Sequence, residues 1–197
     1  MNNCTVKSSK RVYCYLITHH SRQGHVVHWT AQPDELDNQL NQQVIFSGEN
    51  FILGVPRLRQ IRVHDHHCRL VPELSVRSLH CHAPYHKAIE HRDTFITLTD
   101  HHYNYTSSKE TAAFDLSNVH GPYDTGGFIH QFLSTKQLNT KALDDLRNTS
   151  WLDLGTRAVV IEWIYFNPNN ELITSINILF EFLTTGKVER ATRRGTS

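Results

Sequence analysis

The chain has 197 residues, 39% of them hydrophobic and 20% charged, with a formal net charge of +1. That length suits one domain with a substantial core, and the hydrophobic content excludes a disordered tail. The near-neutral balance excludes a global field that would draw the chain to nucleic acid.

The first 43 residues carry little periodicity. They hold a Gln/Asn run (DNQLNQQ) and a Pro33-Asp34 turn or helix-start signal before the apolar Val44-Ile45-Phe46. Strand character begins near Phe51, is interrupted by Gly54 and Pro56, and resumes over 58–63. Proline cannot donate to a ladder, so Pro56 predicts an edge, a bulge or a strand start. Arg57, Arg59 and Arg62 lie inside this apolar stretch. With so little net charge they are expected to pair with acids rather than to form a phosphate-binding patch.

Residues 64–125 are polar, histidine-rich and turn-rich. A segment this long is seldom a plain loop in a compact domain, so short hairpins and an excursion from the core are predicted. Gly121-Pro122 and Gly126-Gly127 close it as turns that need φ > 0, and 128–133 reads as a short strand. A helix follows over 134–148, with Ser134 and Gln137 as a capping box and Leu138, Ala142, Leu143 and Leu146 on one face.

The clearest pattern comes last. Residues 158–166 are β-branched and aromatic, Asn167-Pro-Asn-Asn makes a turn, and 172–183 alternates. Its even positions are nearly all apolar and its odd positions mixed, the period of a half-buried antiparallel strand at the centre of a sheet. The segment 187–197, KVERATRRGTS, is polar. The order of elements argues for an α+β fold, an antiparallel sheet packed against a few helices with a protruding loop excursion.

Neither apolar run, 158–166 or 172–183, reaches the roughly 18–20 residues of a membrane span, and Glu162, Asn177 and Glu181 interrupt them. The N-terminus has no apolar secretory core. The segment His64-Asp-His66-His67-Cys68, with His80-Cys81-His82 and His86, has the residue types of a zinc site. Its spacing is loose, with no C-x-x-C and so no H-x-x-x-H that closes a finger, and a zinc module is therefore the alternative reading with no metal ligand assigned. Asp65-His66-His67-Cys68 spells the signature of protein S-acyltransferases, whose chemistry needs a cysteine-rich zinc domain and membrane helices that this sequence lacks. No nucleophile elbow, phosphate loop or dinucleotide fingerprint occurs, and neither enzymatic activity nor a cofactor is expected. Cys68 and Cys81 have twelve residues between them, and spacing alone leaves their pairing open. Cys4 and Cys14 could form a second pair or be free. Sequons occur at Asn3, Asn104 and Asn148.

One combination is more specific than any single motif. GVPRLRQIRV (54–63) is followed by Cys68 with Cys81, then Gly126-Gly127-Phe128, Trp151-Leu-Asp153, TRAVVIE (156–162), Asn167-Pro-Asn169 and FLTTG (182–186). In this order the elements resemble the extracellular polycystin domain of the polycystin channel family. The resemblance covers roughly 44–186, with 1–43 and 187–197 flanking it. It implies a non-enzymatic domain between the first and second transmembrane helices of a TRP-related, calcium-permeable cation-channel subunit, or of a receptor-like member. It further implies a loop disulfide between Cys68 and Cys81, and an extracellular or luminal position in which Asn3, Asn104 and Asn148 can be glycosylated. The implied partners are other polycystin subunits in a homo- or heterotetramer, with no nucleic acid. On this reading the chain is a fragment of a membrane protein, without spans or pore, that does not conduct by itself.

Overall fold

The structure, a computed structural model, describes residues 45–46, 50–65, 81–97, 100–111, 113, 116–118, 121–132 and 136–196. Cys4, Cys14, His66, His67, Cys68, His80, Asn3 and the Ser134 cap lie outside the described residues. Among the described residues no helix is long and apolar enough to cross a membrane.

The strands in chain order are β1 (Ile45–Phe46), β2 (Asn50–Arg62), β3 (Phe95–Ile96), β4 (His102–Tyr103), β5 (Tyr105–Thr106), β6 (Leu116–Asn118), β7 (Gly121–Tyr123), β8 (Gly127–Gln131), β9 (Thr156–Asn167), β10 (Leu172–Phe182) and β11 (Val188–Thr196). Among the described residues two α-helices accompany them, α1 (Ser108–Thr111) and α2 (Lys136–Asn148). A seven-stranded sheet runs in the order β11-β10-β9-β2-β8-β5, with β1 pairing the start of β2. Every pairing in it is antiparallel. The hairpin β9–β10 is central, because β2 flanks it on one side and β11 on the other. The excursion contains the expected hairpins, β3–β4 and β6–β7.

Strand β2 is continuous through Gly54 and Pro56. It absorbs them in a bulge, where the register moves from Leu53↔Ile164 to Arg57↔Glu162 and Gly54 adopts φ 72. The extra residues leave Pro56 outside the β9 ladder, where its missing N–H costs nothing. A second irregularity lies between Ile61↔Ala158 and Arg62↔Thr156 and skips Arg157.

Both faces of the sheet are buried over its central strands. On one face Leu58, Phe128, Val159, Ile161, Phe180 and Phe182 pack against Leu143 and Leu146 of α2, Trp151, and Phe95 of the β3–β4 hairpin. On the other, Ile61, Ala158, Val160 and Leu179 meet Leu116 and Tyr123 of the β6–β7 hairpin, with Tyr85 against them. The half-buried expectation for β10 is therefore corrected, since Ser175, Asn177 and Glu181 on its mixed face are buried as well. The excursion folds back as a cover over that face. The predicted stripe of α2 shifts too: Leu138 is 47% exposed while Asn139 is buried, so the helix presents Asn139, Leu143 and Leu146 to the sheet.

The polar segment after Gly186 forms β11, paired with β10 from Phe182↔Val188 to Thr174↔Thr196. It is an edge strand with mostly exposed side chains, and its Arg and Glu residues discourage pairing with another chain. At the opposite end of the covered face, Phe51, Leu53, Ile164, Phe166 and Ile173 are cross-strand neighbours. Leu53 and Ile173 are 41% and 42% exposed, so this apolar cluster lies beyond the reach of the cover.

Candidate functional site

The covered face holds a network of buried charge. Arg57 and Arg59 are two residues apart on β2 and point to the same side as Glu162 of β9. Arg57 Nε donates to Glu162 Oε2 at 2.7 Å, and Arg59 donates to Oε1 from Nε at 2.9 Å and from its terminal nitrogen at 2.7 Å. Arg59 is wholly buried, and its other terminal nitrogen reaches the carbonyls of Asp124 at 2.7 Å and Gly126 at 3.3 Å. One guanidinium thus ties two strands to the Gly-rich turn. The expected pairing of these arginines with acids is present in the fold, and Arg62 completes it with two 2.7 Å bonds to Asp153. Arg62 also lies 4.0 Å over the Phe95 ring.

The turn must be glycine for steric reasons. A Cβ at Gly127, where φ is 153, would lie 2.7 Å from the Gln60 carbonyl oxygen, and one at Gly126 would collide with the Tyr105 hydroxyl. Close approach of the turn to β2 is what places its carbonyls in reach of Arg59.

Asp124 gathers a second set of donors. Its carboxylate accepts from the Ser108 hydroxyl at 2.6 Å, the Thr125 N–H at 2.8 Å, Lys87 at 3.1 Å and Arg92 at 3.3 Å. Partial burial pushes its pKa up, but the Ser108, Lys87 and Thr125 bonds outweigh that and hold it at about 2. Glu90, also buried, accepts from Arg92 at 3.0 Å, Tyr105 at 3.1 Å and Tyr85 at 3.4 Å. Burial, with Glu90 and Asp124 nearby, pushes the Tyr85 hydroxyl up to about 12. Tyr123 donates to buried Glu181 at 2.8 Å, and its pKa is raised first by burial and then by that bond. Arg157, the residue skipped in the ladder, donates to the carbonyls of His82, Ala83, Leu154 and Thr156 at 2.7–2.9 Å. It anchors the 82–83 segment to the start of β9.

Chemically this arrangement is a clamp. The carboxylates of this network are engaged by cations or hydroxyls, its ion pairs lie within the sheet or within the cover, and hydrogen bonds from Arg59, Arg157 and Tyr123 fix the one to the other. Sequence reasoning missed Glu162 as its centre, although an acid inside an otherwise apolar strand is itself a signal that a cation must meet it.

The remaining expected site residues divide. Cys81 is described and half-buried, while Cys68 lies outside the described residues. The ends of their loop converge: Val63 and Glu90 form an antiparallel bridge, and His82 Nε2 lies 3.9 Å from Asp65 Oδ1. Asn104 and Asn148 are both exposed, the first accepting from the Thr94 hydroxyl at 2.8 Å and the second ending α2. Of the histidine-rich segment, the structure describes His64, His82 and His86 and does not bring the three together as a ligand set.

The family model for the polycystin domain matches residues 12–194, starting upstream of the 44–186 stretch on which the sequence resemblance rests. Polycystin-2 of Danio rerio is 31% identical over 146 residues, covering 74% of this chain and 16% of that protein. Polycystin-2-like protein 2 of Mus musculus is 33% identical over 138 residues, covering 70% and 22%. The mouse polycystin family receptor for egg jelly is 27% identical over 174 residues, covering 78% and 8%. The chain therefore spans less than a quarter of the length of these relatives. With the matched residues running through the clamp, the turn, α2 and the central hairpin, the chain belongs to the polycystin domain family.

Proposed function

We propose that this chain is the extracellular or luminal domain of a polycystin-type cation-channel subunit or receptor-like relative, and that it serves assembly and gating of a tetramer. The observation that carries the reading is the polycystin domain match over 12–194. The clamp supports it, because a cover pinned by hydrogen bonds from buried Arg59 and Arg157 can pass force between neighbouring subunits. The apolar cluster of Phe51, Leu53, Ile164, Phe166 and Ile173 supports it further, as an exposed apolar surface suited to a second polycystin domain. On the same reading Cys68 and Cys81 are bridged and Asn104 and Asn148 carry glycans; the converging loop ends and the exposed asparagines favour both.

Leu53→Asp and Ile173→Asp in the full-length parent test the assembly role. Crosslinked tetramer in membranes should fall severalfold, while the thermal midpoint of the isolated chain stays unchanged. Tetramer at the parental level would overturn it. Non-reducing peptide mapping of secreted chain should recover a Cys68–Cys81 linked peptide, and two free thiols there would remove the bridge.

A further inference from the structure

At the base of the cysteine loop three ligand-bearing side chains converge that sequence spacing does not group. His64 follows β2, and His91 and Asp93 follow the short 3-10 turn Lys87–Ile89. The Val63↔Glu90 bridge brings them together: the His64 N–H donates to the Ile89 carbonyl at 3.0 Å, and the His91 N–H to the Arg62 carbonyl at 2.9 Å. That pairing makes the two histidines diagonal neighbours on one face, with ring centroids 4.5 Å apart. Asp93 Oδ2 lies 4.0 Å from His64 Nε2, and one donor atom from each of the three residues falls within 4.8 Å of the others.

We propose that His64, His91 and Asp93 bind one zinc ion, a site that shares only His64 with the looser His/Cys pattern of the sequence. Two imidazoles and a carboxylate favour zinc over calcium or magnesium, which prefer all-oxygen shells. A tetrahedral zinc with bonds of ~2.0–2.2 Å sets donors about 3.3 Å apart, so the three must close by roughly 1 Å. Asp93 and His64 have the freedom to do so, with side chains 83% and 39% exposed. His91 supplies the rigid ligand: its ring packs edge-on to Phe128 and tilts against the His64 ring. Arg62 does not compete for Asp93, because Asp153 already takes both its terminal nitrogens. Three protein ligands leave the fourth position to water or to a group from a neighbour. The ion would pin the segment leaving the cysteine loop to the end of β2, whatever the chain's oligomeric state.

The test uses the whole chain without a histidine tag, stripped with chelator and titrated with Zn2+ by calorimetry, with Co2+ as an absorption probe. One saturable equivalent is expected, together with the visible absorption of tetrahedral cobalt, and excess Ca2+ should not displace it. Loss of a second-shell partner costs ~10–100-fold in metal affinity, so loss of a ligand in Asp93→Asn or His64→Gln should cost at least about tenfold. Asp93→His should restore binding, and His86→Gln, at an exposed position outside the triad, should leave it unchanged. Asp93 is so exposed that its substitution tests the site without threatening the fold. Parental affinity in Asp93→Asn and His64→Gln, or no saturable equivalent at all, would overturn the proposal.

Discussion

At the level of single residues, Glu162 decides more than any other described side chain. Its two oxygens satisfy Arg57 and the fully buried Arg59, and through Arg59 the sheet holds the turn carbonyls of Asp124 and Gly126. A buried ion pair adds little net stability over an apolar core, but breaking one strands the remaining charge. Glu162→Gln keeps the shape and removes the charge that offsets Arg59. It should cost about 3–5 kcal/mol in urea unfolding. Arg57→Ala, which removes the more exposed cation and leaves Arg59 paired, should cost much less. Equal losses in the two variants would mean that the clamp is not centred on Glu162. The R-x-R spacing on β2 shows in the sequence that two cations share a face, because strand side chains alternate. It does not show which acid they meet, since Glu162 is more than a hundred residues away.

At the level of elements, the cover depends on Asp124, which joins Lys87, Arg92 and α1 to the turn before β8. Its folded pKa of about 2 lies below the ordinary aspartate value of ~3.9. A depressed carboxylate contributes stability that is fully present above the unfolded pKa and is lost as pH falls through the folded one. The contribution is on the order of 2 kcal/mol and should disappear between about pH 4 and pH 2. Asp124→Asn should be less stable at pH 6 and should lose less than the parent over that window. Parallel pH–stability curves for the two would refute this role. The elements themselves were unevenly legible. The β9–β10 hairpin was clear because its alternation is local, and Asn167-Pro-Asn-Asn marks its turn. The burial of Ser175, Asn177 and Glu181 was not, because polar residues read as solvent-facing until a distant segment is known to cover them. The strand β11 was hidden for the opposite reason: an edge strand protected by charge has the composition of a tail.

For the whole molecule, the consequence of covering both faces is cooperativity. Strands β2, β9 and β10 supply alternate residues to two cores, so Val159 and Ile161 pack under α2 while Ala158 and Val160 pack under the excursion. Neither cover can leave without exposing residues whose neighbours in the same strand hold the other. Tyr123 shows the coupling at close range, its ring tilted against Tyr85 at 4.8 Å while its hydroxyl bonds Glu181 of β10. Removing the cover from one face would take the Asp124 and Gly126 carbonyls from Arg59 and the Tyr123 hydroxyl from Glu181, and would bare Ile61, Val160 and Leu179. The described domain should therefore unfold as one unit rather than shed its excursion first. Hydrogen exchange at the β6–β7 hairpin and at the α2 amides should report the same opening free energy in denaturant, and Tyr123→Ala should lower both by the same amount. A β6–β7 hairpin that exchanges freely while α2 stays protected would show instead that the clamp lets the cover move independently of the sheet, a behaviour suited to gating but not to a fixed assembly platform.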